Sequence, residues 1–266
     1  FTEDTRDNWA VFAQDQIALG RQQFIFGLRR DDNQAFGSET TGNATWGVAL
    51  RDNLRLTASY GTAYKAPTFN DLYYPNDGFY GGNPDLKPET ARNAELGLHY
   101  GLAPFTLSAS VFHNDIDDLI VFDAANNTVN NIDRARIQGA EGSVEYRAGL
   151  WRGYAALTAL DTENRTTGAE LPRRADLTSR LELDRTFGAY RLGATLLAQD
   201  GRYDDTANTV SLAGYGRLDL RAEWQIAPQW TLRARIENVL DRDYETAATY
   251  VQPDRTGYLT LAYQTP

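Results

Sequence analysis

Few side chains in this sequence have the type and spacing that catalysis requires. The 266 residues include two histidines, His99 and His113, and no cysteine, which excludes thiol nucleophiles and thiolate metal sites. Neither histidine has a nucleophile paired with it, and Gly142-Ser143 lacks the context of a nucleophile elbow. We therefore predict no catalytic residues. The enzymatic alternative, a barrel hydrolase or protease, would need a serine, a histidine and an acid to converge at one rim.

A group of carboxylates is the candidate metal site. Asp115, Asp117 and Asp118, with Asp123 beyond them, offer the oxygen ligands that calcium prefers. Their spacing lacks the glycine and the terminal glutamate of a recognised calcium loop. Solvated loop charge or a strand-end cap is the alternative, and no other cofactor is expected.

Segment 66–89 is the candidate ligand-binding loop. Its aromatic side chains are Tyr73, Tyr74, Phe79 and Tyr80, and they lie among glycines and an asparagine. Broad amphipathic rings on a pliable backbone suit a large, partly apolar ligand. The alternative is that the rings pack the loop onto its neighbours, because a loop of this length is often either functional or packed by its own side chains.

The composition narrows the class of protein. Hydrophobic residues make up 42% of the chain and the mean hydropathy is −0.52, while 12% of the residues are aromatic. No segment approaches the roughly 18 apolar residues of a membrane-spanning helix, so membrane residence would require a closed barrel. The net charge of −10 argues against a nucleic-acid partner. Neither methionine nor a signal peptide is present, and we expect a fragment of a longer precursor.

Strict alternation of apolar and polar residues is the dominant pattern, and it is clearest over 217–224 and 230–237. Between these segments Ala227-Pro228-Gln229 reads as a tight turn, which makes a long β-hairpin. The same pattern predicts thirteen strands near 7–19, 22–32, 42–51, 54–65, 90–101, 104–116, 136–149, 152–162, 175–187, 190–203, 214–226, 229–239 and 256–263.

The predicted connections alternate in length. Short turns near 52, 102, 150 and 188 alternate with long loops at 66–89, 117–135, 163–174, 204–213 and 240–255. Aromatic residues cluster near the predicted strand ends, where the interfacial girdles of a barrel would lie. The chain is therefore predicted to be all-β, a transmembrane antiparallel β-barrel. A soluble β-sandwich is the alternative, but its strands average only about 5–6 residues.

Several spaced motifs carry a family resemblance. They include Lys65-Ala66-Pro67, Asn83-Pro84, Lys87-Pro88-Glu89, Asn238, Asp241 and Tyr244. Segments 112–120 and 135–141 lie between residues 89 and 238 and match the family in the same order, so the resemblance spans nearly the whole chain. Together these motifs resemble the barrels of TonB-dependent outer-membrane receptors. The prolines and the Asn-Pro step also have a physical reading as loop architecture.

The resemblance implies a 22-stranded barrel in the bacterial outer membrane, surrounded by outer-membrane lipid. Residues 1–266 would be the carboxy-terminal part of the barrel domain, without the plug domain. The implied partners are the receptor's own plug, the TonB energy-coupling complex and a large nutrient.

Within the family, the opening segment 5–8, the segment 64–67 and the segment 243–246 are most similar to the cobalamin transporters. This similarity implies active uptake of vitamin B12, with calcium as an aid to cargo binding in the intact receptor. A siderophore or haem receptor is the alternative within the family. A passive porin-like channel is the alternative from another class.

Charged residues on one face of the predicted strands would line the lumen of such a barrel. We expect them to form cross-strand pairs and to contact the plug, each pair contributing about 0.2–1 kcal/mol. Steering of cargo is the alternative. These residues are Arg55, Arg180, Glu182, Asp184, Arg217, Asp219, Arg221, Glu223, Arg233, Arg235 and Glu237.

Overall fold

The computed structural model describes residues 5–123 and 126–265, and nearly all regular structure in it is β-strand. One short helix, α1, spans Phe69–Tyr73. In the described part of the chain no helix has the length and apolar character to span a membrane. The strands are β1 Asn8–Leu19, β2 Gln22–Asn33, β3 Gly37–Arg51, β4 Leu54–Lys65, β5 Glu89–Leu102, β6 Phe105–Asp123, β7 Thr128–Ala148, β8 Trp151–Asn164, β9 Leu177–Phe187, β10 Tyr190–Gln199, β11 Arg202–Tyr203, β12 Ser211–Leu212, β13 Tyr215–Ala227, β14 Trp230–Glu237 and β15 Thr256–Tyr263.

Thirteen strands form one antiparallel sheet in which each strand pairs with its neighbours along the chain. The order runs from β1 to β10 and continues through β13, β14 and β15, while β11 and β12 form a separate two-stranded hairpin. The prediction of an all-β chain with thirteen long strands is confirmed. The predicted strand 190–203 was wrong at its end, because β10 stops at Gln199 and β11 belongs to the small hairpin.

Two rims of the sheet differ in their connections. Six connections at one rim, the short-turn rim, contain two residues each: 20–21, 52–53, 103–104, 149–150, 188–189 and 228–229. Gly20, Gly149 and Gly188 open three of these turns with φ of 56° to 60°, as tight hairpin turns require. The opposite rim, the long-loop rim, carries 66–88, 165–176, 200–214 and 238–255.

The prediction of a long loop at 117–135 was wrong. β6 continues to Asp123 and β7 begins at Thr128, with Leu119 opposite Ile132 in the ladder. Asp118 has a left-handed φ of 55°, which interrupts the regular alternation. Both faces of this hairpin tip are covered by other loops, so its sequence reads as an apolar run without a period of two. The predicted start of β3 at residue 42 was also late, since the strand begins at Gly37.

Register gives the wall two distinct faces. On β9, Leu181 and Leu183 share one face, the apolar face, and are about half exposed. The other face, the charged face, carries ion pairs that connect strands: Arg233 pairs with Glu223 on the adjacent strand, and Arg221 pairs with Asp184 across the intervening β10. A wall with exposed leucines on one side and paired charges on the other has no conventional hydrophobic core.

Burial is concentrated at the long-loop rim. Ile116, Leu119, Val121, Ile132, Ala135 and Leu171 form one buried cluster. Leu72, Leu86 and Val129 form a second, with Tyr80 and Phe122 packed against it. The tip of the β6–β7 hairpin contributes to both clusters, so it lies between loop 66–88 and loop 165–176.

Candidate functional site

Loop 66–88 begins with a fully capped helix. The Thr68 hydroxyl accepts a hydrogen bond from the Asp71 amide at 3.1 Å, and the Thr68 amide donates to the Asp71 carboxylate at 2.8 Å. This reciprocal capping box satisfies two amides at the start of α1. Leu72 on this helix is buried in the second cluster. The loop therefore has a defined conformation of its own.

A second turn orients the tip of the loop. The Asp77 carboxylate accepts hydrogen bonds from the amides of Phe79 and Tyr80, both at 2.9 Å. These two bonds, first that from Phe79 and then that from Tyr80, lower the pKa of Asp77. The turn leaves the Phe79 side chain 83% exposed, while Tyr80 points back into the loop.

The four predicted binding aromatics divide into packed and exposed rings. Tyr80 stacks on Phe122 with centroids 6.0 Å apart and meets Tyr74 edge-on at 5.2 Å. Burial, with a smaller effect of Asp71, raises the pKa of Tyr80. Tyr73 contacts Phe69 and the buried cluster. Phe79 and Tyr74 present the accessible ring surface, so we define Tyr74, Phe79 and Tyr80 as the aromatic platform.

The motif residues at the start of the loop hold it to the wall. Lys65 forms an ion pair with Glu89 at 3.2 Å, and the Ile120 amide donates to the same Glu89 oxygen at 2.7 Å. Next to Ala66, the fully buried Pro67 accepts a hydrogen bond from Arg6 at 3.0 Å through its carbonyl. These contacts connect the start of the chain with β4, β5 and β6.

The second motif group attaches the loop to the β6–β7 hairpin. The Asn83 side-chain amide donates to the Val129 carbonyl at 3.0 Å, and the Lys87 amide donates to the Asn131 side chain at 2.9 Å. Pro84 and Pro88 flank these bonds and supply no backbone N–H. The motif residues in this loop therefore make structural contacts beneath the aromatic platform.

The motif at the end of β14 organises loop 238–255 in the same way. Asn238 is 1% exposed, and its side chain exchanges two hydrogen bonds with the backbone of Arg242, both at 2.9 Å. The Asp241 carboxylate accepts from the Arg255 amide at 2.8 Å. Tyr244 stacks on Tyr215 with centroids 4.2 Å apart.

The three carboxylates predicted as a calcium site do not converge. Asp115 pairs with His113 at 3.1 Å, Asp117 with Arg92 at 3.3 Å and Asp118 with Lys87 at 3.6 Å. Across residues 5–123 and 126–265, no three His, Asp or Glu side chains come close enough together to hold a metal ion. In this conformation each carboxylate instead contacts a different basic side chain, and Asp115 also pairs with Arg165.

Loop 165–176 supplies contacts that the sequence did not suggest. Leu171 is 1% exposed and packs against the first cluster. Arg173 binds the buried Asp204 with two hydrogen bonds of 2.7 and 3.3 Å, and its guanidinium lies 5.8 Å from the centre of the Phe122 ring. The row Arg173, Phe122 and Tyr80 thus connects loop 165–176 with loop 66–88 through the tip of the β6–β7 hairpin. The spacing of residues in the sequence does not predict such contacts between distant segments.

His99 is the one histidine with a serine partner in the described chain. Its Nδ1 lies 3.1 Å from the Ser108 hydroxyl, across the β5–β6 ladder. Among residues 5–123 and 126–265, no carboxylate binds its other ring nitrogen. The second histidine, His113, contacts Gln138 and Asp115.

Comparison with known proteins identifies the family. A family model described as TonB dependent receptor-like, beta-barrel, matches residues 1–239. The vitamin B12 transporters BtuB of Photobacterium profundum and Vibrio vulnificus are each 31% identical to this chain. Each match covers 99% of this chain and 44% of the relative, so the chain spans less than half the length of these curated relatives.

The fold comparison agrees. The solved structure of the copper transporter OprC superposes with a TM-score of 0.80, covering 96% of this chain and 47% of that chain, at 22% identity. That likeness concerns the fold alone. From the family match over most of its length and the identity to curated relatives, the chain belongs to the TonB-dependent receptor β-barrel family of the bacterial outer membrane.

Proposed function

We propose that this chain forms the carboxy-terminal part of the barrel wall of an active transport receptor that takes up cobalamin. The observation that carries the proposal is the 31% identity, over 99% of the chain, to transporters named for vitamin B12. The plug domain and the segment that binds the TonB energy-coupling complex belong to the remainder of the receptor. In this proposal the 22-stranded barrel closes around that plug.

The aromatic platform is the proposed cargo contact. Phe79 is exposed at the tip of a loop whose base is fixed by Asn83, Lys87 and Glu89. A ring held on an ordered loop loses little conformational freedom when a ligand binds. Tyr74 and Phe79 offer apolar ring faces, and the Tyr74 hydroxyl offers a polar edge, which suits a large corrinoid. Tyr73 and Tyr80 support this surface from below.

The charged face is the proposed docking surface for the plug. All ten of its charged residues on β9, β13 and β14 take part in ion pairs with one another or with Arg191: Arg180, Glu182, Asp184, Arg217, Asp219, Arg221, Glu223, Arg233, Arg235 and Glu237. Because their charges are compensated within the wall, they favour a neutral, hydrogen-bonding contact over the capture of a charged nutrient.

Transport without catalysis is part of the proposal. The His99–Ser108 pair would need a carboxylate on the second ring nitrogen of His99 to orient it as a base. The pair instead joins two strands of the wall on its charged face. We assign it to wall structure.

We propose that the intact receptor binds a calcium ion, with Asp115, Asp117 and Asp118 as candidate ligands. Binding there would require each carboxylate to leave its basic partner, so calcium should act only together with a rearrangement of the long-loop rim. A calcium effect on cargo affinity tests this point directly.

Isothermal titration of the full-length receptor in detergent tests the cargo. Cobalamin should bind tightly, with and without calcium measured in parallel, while a ferric siderophore and haem should not bind. Binding of an iron complex alone would keep the receptor and overturn the cargo. A protein that binds none of these and conducts small solutes without selectivity would be a passive channel.

A further inference from the structure

The basic side chain of Arg185 lies on the apolar face of the wall. Arg185 follows Leu181 and Leu183 at alternate positions of β9, so it projects from the same face as these exposed leucines. In the ladder it stands opposite Trp151 on β8 and Leu192 on β10. β9 ends at Phe187, so Arg185 lies one row from the short-turn rim.

Two aromatic rings hold the Arg185 guanidinium. Its central carbon is 4.9 Å from the centre of the Trp151 ring and 4.4 Å from that of Phe187. Within residues 5–123 and 126–265, no carboxylate pairs with this guanidinium and no side-chain hydrogen bond satisfies it. Arginine stays charged at all relevant pH values and carries five N–H donors. An exposed guanidinium on a lipid-facing wall therefore requires an external anion or water.

A groove on the same face begins one row from Arg185. Gly153, Ala155 and Ala194 form its floor, and Leu181, Leu183 and Leu196 line it, around a volume of about 370 Å³. Gly153 and Ala194 stand on either side of Leu183, one row above Arg185. The small residues lower the wall surface between the leucines, which leaves room for a hydrocarbon chain along the strands.

The level of Arg185 in the membrane indicates which ligand it can bind. Aromatic girdles of outer-membrane barrels lie at the level of the lipid headgroups. Trp151, Phe187 and the stacked pair Tyr190–Trp224 mark this level beside Arg185. The anion available there is a lipid phosphate, and a guanidinium binds phosphate oxygens through parallel N–H donors.

We propose that Arg185 and the Gly153–Ala194 groove bind one phospholipid, with the phosphate on Arg185 and an acyl chain in the groove. The ligand class is an anionic phospholipid of the leaflet at the short-turn rim. This proposal uses the outer-membrane location of the family and does not depend on the cargo. A negative result for the lipid site would therefore leave the cobalamin proposal unaffected, and the reverse also holds.

Native mass spectrometry of the full-length receptor, titrated with phosphatidylglycerol in detergent, tests the site. Wild type should retain one lipid per receptor at low lipid concentration. Arg185→Gln should lower the occupancy of that adduct by about fivefold, the size expected for one basic contact to an anionic headgroup. Gly153→Val should lower it as well, because the added side chain fills the groove while its Cβ has space.

The matched control is Arg147→Gln. Arg147 lies near the same rim, but its side chain pairs with Glu145 on the opposite face at 3.0 Å, so lipid occupancy should stay at the wild-type level. Inorganic phosphate is the second control and should give no adduct that depends on Arg185. Equal lipid loss in the two arginine variants, or an Arg185-dependent phosphate adduct that Gly153→Val leaves unchanged, overturns the proposal. Unchanged heat-modifiable migration on gels confirms that each variant is folded.

Discussion

The two rims of this wall are ordered in different ways. At the short-turn rim, two-residue turns close each hairpin through backbone geometry, and large side chains such as Leu150 remain exposed. At the long-loop rim, order depends on buried side chains and on side-chain hydrogen bonds such as those of Asn83 and Asn238. Equivalent substitutions should therefore have unequal effects at the two rims, with the larger effect at the long-loop rim.

The largest expected difference is between two leucines. Leu171→Ala removes a side chain that is 1% exposed in the first cluster and should destabilise loop 165–176 by about 2–4 kcal/mol. Leu150→Ala at the short-turn rim, where the side chain is 56% exposed, should change stability by about 0.5 kcal/mol or less. Hydrogen–deuterium exchange of peptides from each rim measures both. Equal changes in exchange would mean that the cluster does not hold the loop.

The next largest difference is expected between alanine substitutions of two asparagines, one at each rim. Asn238→Ala loses the hydrogen bonds to Arg242 and places alanine at a left-handed φ of 52°, and both changes disfavour the loop. We expect a loss of about 2 kcal/mol, seen as faster exchange across 239–255. Asn53→Ala at the short-turn rim loses one exposed hydrogen bond to the Gly101 carbonyl and should leave exchange almost unchanged. Protection of 239–255 that survives Asn238→Ala contradicts this account.

Substitutions of the adjacent residues Phe79 and Tyr80 should distinguish cargo binding from loop packing. Phe79→Ala should weaken cobalamin binding about tenfold in titration calorimetry, with exchange of loop 66–88 unchanged, because its ring is exposed and makes no supporting contact in the aromatic platform. Tyr80→Ala removes the ring that stacks on Phe122 and should increase exchange throughout the loop. If Phe79→Ala binds cobalamin as wild type does, the platform is not the cargo contact.

The smallest effect concerns pH. Because the folded-state pKa of Asp77 is depressed, its stabilising contribution is present above the ordinary aspartate pKa and is lost as pH falls through the folded value. The Phe79 and Tyr80 amides should therefore keep their protection from neutral pH down to about pH 4 and lose it below. Exchange of a peptide covering 77–81, corrected for intrinsic rates, measures this. Asp77→Ala should abolish the protection at every pH.

The difference between the two rims also explains which features could be predicted from the sequence. Alternation along the wall is a local property, so thirteen strands and the short turns could be found from it. The β6–β7 tip was missed because loops cover both of its faces, which removes the alternation that marks a strand. The position of Phe79 follows from one turn, whereas the stacking of Tyr80 on Phe122 joins two segments that are distant in the sequence and leaves no local pattern.

The neighbour-to-neighbour order of the strands also constrains how the protein assembles. Every ladder in the large sheet joins strands that are consecutive within it, so the wall can grow by adding one hairpin at a time, with short loop closures. The contacts of Tyr80 with Phe122 and of Arg173 with Asp204 each join different hairpins. They can form only after both hairpins are in place, so the long-loop rim becomes ordered last, after the wall beneath it.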